Sequence, residues 1–96
     1  MKYVYAPRYL KQFDALSAHD QQLAVQADAE IRQYYQTGAA SFGLRIKRLH
    51  AGGHGKVFEA RVSLALRLLW VQHAESVTFV LIGTHSEVQR FLRSFT

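Results

Sequence analysis

The feature that most constrains this chain is a change of hydrophobic period at Gly43. Before it, apolar residues recur at helical spacing: Tyr9, Phe13 and Leu16 in one run, then Leu23, Ala27, Ile31 and Tyr34 in a second. Pro7 suits the first turn of the first helix, Ser17 is placed to cap the second, with Asp20 three residues on, and Gly38 is a natural stop. The polar face of that helical hairpin, with Gln21, Gln22, Gln26, Asp28 and Gln33, reads as solvent surface. After Gly43 the period shortens. Leu44, Ile46 and Leu49 interleave with Arg45, Lys47 and Arg48, and then come VFEARV, LRLLWV and VTFVLI, three strand-like runs bounded by turns. A β-prone KYVYA opens the chain, and Ser86, with Gln89 as capping partner, starts a short last helix in which Val88, Phe91, Leu92 and Phe95 face inward.

The predicted order is β-α-α-β-β-β-β-α in one domain of 96 residues. Strands joined by tight turns pair antiparallel, so the expected fold is α+β: a twisted antiparallel sheet with its helices segregated on one face. No apolar run reaches membrane-spanning length and MKYVYAPR lacks a signal-peptide core, so a cytoplasmic protein is expected. With no cysteine, disulfides, thiolate catalysis and zinc sites built on cysteine are excluded.

Charge divides at the same place as period. Residues 1–42 carry four basic and four acidic side chains, whereas residues 43–96 carry eight basic against three acidic, so the second half holds the whole net charge of +5. A one-sided positive field on a small neutral scaffold fits a polyanion, most often nucleic acid; a solvated basic surface is the plainer explanation.

Four side chains in the strand-rich half can carry chemistry. Glu59 and Arg61 point to one face of VFEARV, because residues two apart in a strand share a face. Arg67 opens the next strand and can lie alongside Arg61. Two facing guanidiniums repel, so either a bound phosphate or a salt bridge from Glu59 must offset them. His85 ends the last strand before a helix, and reads either as an acid–base group or as an ordinary capping-region histidine. His50 and His54 bracket Gly52-Gly53; their spacing suits a helix that the glycines oppose, so no metal is expected, and with Lys56 the turn suits phosphate backbone better.

Together, GLRIKRLHAGGHGKVFEARV, LRLLW and VLIGTHSEV resemble the RelE/ParE superfamily of bacterial toxins, the toxic halves of type II toxin–antitoxin pairs. The resemblance spans nearly the whole chain. Gly83-Thr84-His85 resembles the YafQ-like branch, in which a histidine of such a motif is catalytic. Arg61 and Arg67 resemble basic residues that hold the scissile phosphate in the RelE and YoeB branches. The resemblance implies a ribosome-dependent mRNA endonuclease that needs no metal or other cofactor: a 2′-hydroxyl attacks the adjacent phosphate, a cyclic phosphate forms and the 5′-oxygen leaves. Arg61 and Arg67 would supply positive charge, His85 the acid or base, and Glu59 the partner carboxylate. Arg45, Lys47, His50, His54 and Lys56 would grip RNA backbone. The implied partners are a cognate antitoxin, the ribosome and mRNA.

The chain departs from each branch. The YafQ-like branch has a histidine and an aspartate where this chain has Arg61 and Ala65, and the RelE branch has a tyrosine where this chain has Gln89. Two other readings share the observations: a ParE-like toxin that inhibits DNA gyrase without cleavage, and a non-toxic basic RNA-binding domain.

Overall fold

The computed structural model of the chain describes residues 1–39, 42–52 and 55–95. The order of elements is β1 (Lys2–Tyr5), α1 (Pro7–Asp14), α2 (Ala18–Thr37), a single 3-10 turn (Phe42–Leu44), β2 (Lys47–Gly52), β3 (Gly55–Arg61), β4 (Arg67–His73), β5 (Ser76–Gly83) and α3 (His85–Phe95). Local chemistry sets most of these limits. Pro7 begins α1, where its missing N–H costs nothing. Ser17 Oγ accepts from the Asp20 N–H at 3.1 Å and caps α2. Gly38 ends α2 in the left-handed region at φ 79°, with its N–H bonded to the Tyr34 carbonyl. The strand expected from Leu44 begins only at Lys47, because the 3-10 turn takes up the preceding residues.

The strands form one sheet in the order β1-β5-β4-β3-β2. The four consecutive strands β2 to β5 pair antiparallel as expected, while β1 joins the far edge parallel to β5. The helices do not share one face. The hairpin α1–α2 covers one side through Tyr9, Ala24, Ala27 and Ile31, which pack on Ala60, Leu68, Trp70, Val77, Phe79 and Ile82. On the other side Val88 of α3 packs with Val57, Leu69 and Leu81, supported by Phe91 and Leu92. The reason lies in LRLLWV and VTFVLI: central strands apolar on both faces need cover on both.

A bulge helps to divide the two sides. Leu69 pairs with Leu81, yet Trp70 pairs with Phe79, so Val80 is an extra residue in β5. Val80 and Leu81 both serve the α3 side, and the alternation beyond them is reversed.

The polar face of α2 is more than solvent surface. Tyr5 donates to Asp28 Oδ2, Arg32 Nε donates to Asp28 Oδ1 at 2.7 Å, and Arg32 Nη2 donates to the Tyr5 hydroxyl at 2.7 Å. The Arg32 guanidinium also lies 4.2 Å from the Tyr3 ring centroid. This cluster ties the edge strand β1 to α2. Gln21 Nε2 similarly donates to the Phe13 carbonyl and joins the two helices.

The tyrosines set a pH limit on stability. Burial first, then the nearby charge of Asp28, push the Tyr9 hydroxyl well above its usual value of 10. Tyr5 and Tyr35 move the same way, mainly through burial. Above pH ~10 the unfolded chain releases these protons while the folded chain retains them, so stability falls as pH rises through that range and is unaffected below it. Thermal melts between pH 7 and 12 should show a steeper alkaline loss in the wild type than in Tyr9→Phe, by up to about 1.4 kcal/mol per pH unit. Superimposable curves for the two proteins would contradict this account.

Candidate functional site

Three adjacent strands bring the predicted arginines into one row. Arg61 pairs with Arg67, and Arg67 with Gly83. Two residues back along β3, Lys47, Glu59, Leu69 and Leu81 form a second row. Residues opposite each other in a ladder share a face. Phe58, Ala60 and Val62 pack on the helical-hairpin side, so Glu59 belongs to the α3 side; Arg61 follows it in register at the end of β3, but its side chain lines a cleft with α2 on the hairpin side.

The repulsion expected between the arginines is offset within the protein. Arg67 Nε lies 3.7 Å from Glu59 Oε1, and both side chains are mostly buried, at 19% and 14% exposure. Arg67 Nη1 donates to the Ser63 carbonyl at 3.0 Å and reaches those of Leu64 and Leu66 at 3.3 Å. Arg67 therefore also holds the β3–β4 turn, whose tip is the exposed Leu64 and Ala65. Arg61 is half-buried and lines a cleft of about 230 Å³ with Gln26 and Glu30 of α2.

His85 is the first residue of α3 and is exposed. It stands two residues beyond Gly83, at the end of the sheet occupied by Arg67. The cap of this helix is not the predicted Ser86 with Gln89. The Glu87 N–H donates to Thr84 Oγ1 at 3.3 Å and the Thr84 N–H to Glu87 Oε1 at 2.9 Å, a reciprocal capping box. The sequence carried that signal in Thr84-His85-Ser86-Glu87, two residues earlier than Ser86. Gln89 is exposed on the next turn.

The residues expected to grip RNA are dispersed. Lys47 shares the face of Glu59. Lys56 pairs with Gln72, which places it on the opposite face with Phe58. Arg45 precedes β2, exposed and at φ 48°. His50 pairs in backbone register with Val57, and His54 lies outside the described residues. Among the described residues no three His, Asp or Glu side chains gather as a metal-ligand set. The chemistry within reach of this sheet end is cationic and acid–base.

No family model and no curated protein matches the sequence. Solved structures do match. A YoeB/ParE toxin from Agrobacterium tumefaciens aligns with TM-score 0.66 at 16% identity, over 88% of this chain and 99% of that one. The archaeal RelE in complex with RelB from Pyrococcus horikoshii OT3 aligns with TM-score 0.66 at 9% identity, over 86% and 92%. YafQ from E. coli strain BL21(DE3) aligns with TM-score 0.62 at 12% identity, over 91% and 96%. The chain has the RelE/ParE toxin fold.

Within this RelE-like frame, Gly83 leaves room for the Glu87 carboxylate. A Cβ there would lie 2.6 Å from Glu87 Oε1 and 2.9 Å from Glu87 Cδ. Gly83→Ala should therefore push the Glu87 carboxylate out of the capping box and cost about 1 kcal/mol in urea unfolding. Unchanged stability would show that the box contributes nothing.

Proposed function

We propose that residues 1–96 form the toxin of a type II toxin–antitoxin pair and that it cleaves mRNA on the ribosome. The observation that carries this reading is the ladder row Arg61–Arg67–Gly83, with His85 two residues further on and Glu59 beside Arg67. The chemistry suited to it is attack of a ribose 2′-hydroxyl on the adjacent phosphorus. A base takes the 2′-hydroxyl proton, the P–O5′ bond breaks, an acid protonates the leaving 5′-oxygen, and a 2′,3′-cyclic phosphate results. His85 fills one of the proton-transfer roles and Glu59 the other, while Arg61 and Arg67 stabilise charge on the pentacoordinate phosphorus. Lys47, on the face of Glu59, contributes backbone affinity.

Ribosome dependence follows from positioning. An exposed histidine at an open sheet end does little to orient a flexible RNA, and a larger partner that presents the codon supplies that entropy. The protein therefore works in the cytoplasm; among the described residues no helix is long and apolar enough to cross a membrane. Its second partner is a cognate antitoxin, a reading supported by the similar RelE having been solved with RelB.

One observation favours a ParE-like inhibitor of gyrase instead. The Arg67 guanidinium is already engaged by Glu59 and by turn carbonyls, as a purely structural arginine would be. Conditional expression in bacteria with primer extension on a reporter mRNA separates the two. Growth arrest with cuts inside translated codons supports the nuclease. Arrest without cuts transfers the assignment to a protein target, and soluble protein without arrest removes both.

A further inference from the structure

A second cationic site lies outside the rows described above. A cleft of about 390 Å³ runs between α1 and α3, lined by Arg8 and Gln12 on one wall and Glu87, Arg90 and Ser94 on the other, over a floor of Leu81 and Phe91. Arg8 and Arg90 are exposed, and the Arg8 guanidinium sits 5.7 Å from the Phe91 ring centroid. The walls therefore carry two cations, Arg8 and Arg90, against one carboxylate. The one carboxylate in the lining, Glu87, is turned to the Thr84 N–H. Two exposed guanidiniums facing across a cleft with one turned-away carboxylate favour an anion between them.

We infer that this cleft binds an RNA phosphodiester next to the one that is cut, with Arg8 and Arg90 as its ligands. The inference rests on the nuclease reading and extends its substrate path. Continuity argues for RNA: Glu87 of the lining is two residues past His85, and Leu81 of the floor is two residues before Gly83, the ladder partner of Arg67. An RNA strand leaving His85 along α3 therefore meets this cleft first. A guanidinium placed over an aromatic ring keeps its N–H edge free for phosphate oxygens and offers a planar surface to a base.

The test is binding of the full chain to a fluorescein-labelled, single-stranded 2′-O-methyl oligoribonucleotide, which has no attacking hydroxyl, measured by anisotropy across a salt series. Arg8→Gln/Arg90→Gln should weaken binding about tenfold. It should also reduce the slope of log affinity against log salt by about 0.7, the contribution of one single-strand phosphate contact. Both positions are on the surface, and an unchanged far-ultraviolet spectrum and melting temperature verify that the variant is folded. Equal affinity and slope in wild type and variant would overturn the inference, as would a wild type that does not bind the oligonucleotide. A loss confined to poly-glutamate, with RNA binding intact, would also overturn it and assign the cleft to an acidic protein segment. None of these results depends on cleavage in cells, so the nuclease reading stands or falls separately.

Discussion

Alanine at His85 should abolish mRNA cleavage in cells, lowering it by about 10²- to 10⁴-fold, while the protein remains folded. The size of the effect is that of a positioned proton-transfer group. The intact fold follows from where His85 sits. It is exposed at the first position of α3, whose start is held by the reciprocal bonds of Thr84 and Glu87. Alanine is at least as favourable as histidine in a helix, so the melting temperature should hold or rise slightly. Primer extension gives the reading: codon-internal cuts in the wild type, none in His85→Ala at equal soluble expression. Full-strength cuts in the variant would remove His85 from the chemistry. Arg67→Ala should also end cleavage, yet it is the less clean experiment. It frees the carbonyls of the β3–β4 turn and leaves Glu59 without its 3.7 Å partner, so lost activity there mixes chemistry with structure.

Trp70→Ala should lose about 3–5 kcal/mol of stability, the largest effect expected of any core truncation here. Trp70 lies in β4, at the centre of the sheet, and is fully buried. Its ring stacks on Phe58 at 5.6 Å between centroids, and its Nε1–H donates to the Tyr35 hydroxyl at 2.7 Å. Truncation removes the largest buried side chain and leaves a cavity between α2 and the sheet, which the surrounding β-ladder keeps from collapsing. A small protein has about 5–15 kcal/mol in total, so the variant will be marginal. Trp70→Phe keeps most of the volume and loses mainly the N–H bond, with an expected cost of about 1–2 kcal/mol. Trp70 is the sole tryptophan, so urea unfolding must be followed by circular dichroism. A loss below about 1 kcal/mol for the alanine variant would refute the assignment of Trp70 as the central packing residue.

The first site residues were legible because strand alternation is a local rule. Alternation in VFEARV turns Glu59 away from the helical hairpin, and the short turn to Arg67 brings the second arginine opposite the first, although the Arg61 side chain lines the cleft beside α2. The apolar stripe of α2 was read almost in place: Ala24, Ala27 and Ile31 are buried, while Leu23 and Tyr34 flank them. The cap of α3 lies two residues before the expected one because two hydroxyl residues, Thr84 and Ser86, compete in the sequence, and Thr84 wins with Glu87 as its reciprocal partner. The Arg8–Arg90 cleft had no signal at all, since its walls are far apart in the chain and neither arginine belongs to a motif.

The sequence by itself determined the element order, the antiparallel run from β2 to β5, the start of α1, both ends of α2, and the register that sets Arg67 opposite Arg61. Each depends on steric rules and hydrogen bonds that act within a few residues. Only the tertiary structure decided that α3 covers the face opposite the helical hairpin, that β1 lies parallel beside β5, and that Val80 bulges and reverses the alternation towards Gly83. It also decided that Arg67 meets both Glu59 and the turn carbonyls. Those choices balance packing on two faces of one sheet, and that balance is set by residues distant in sequence that become neighbours only when the chain has folded.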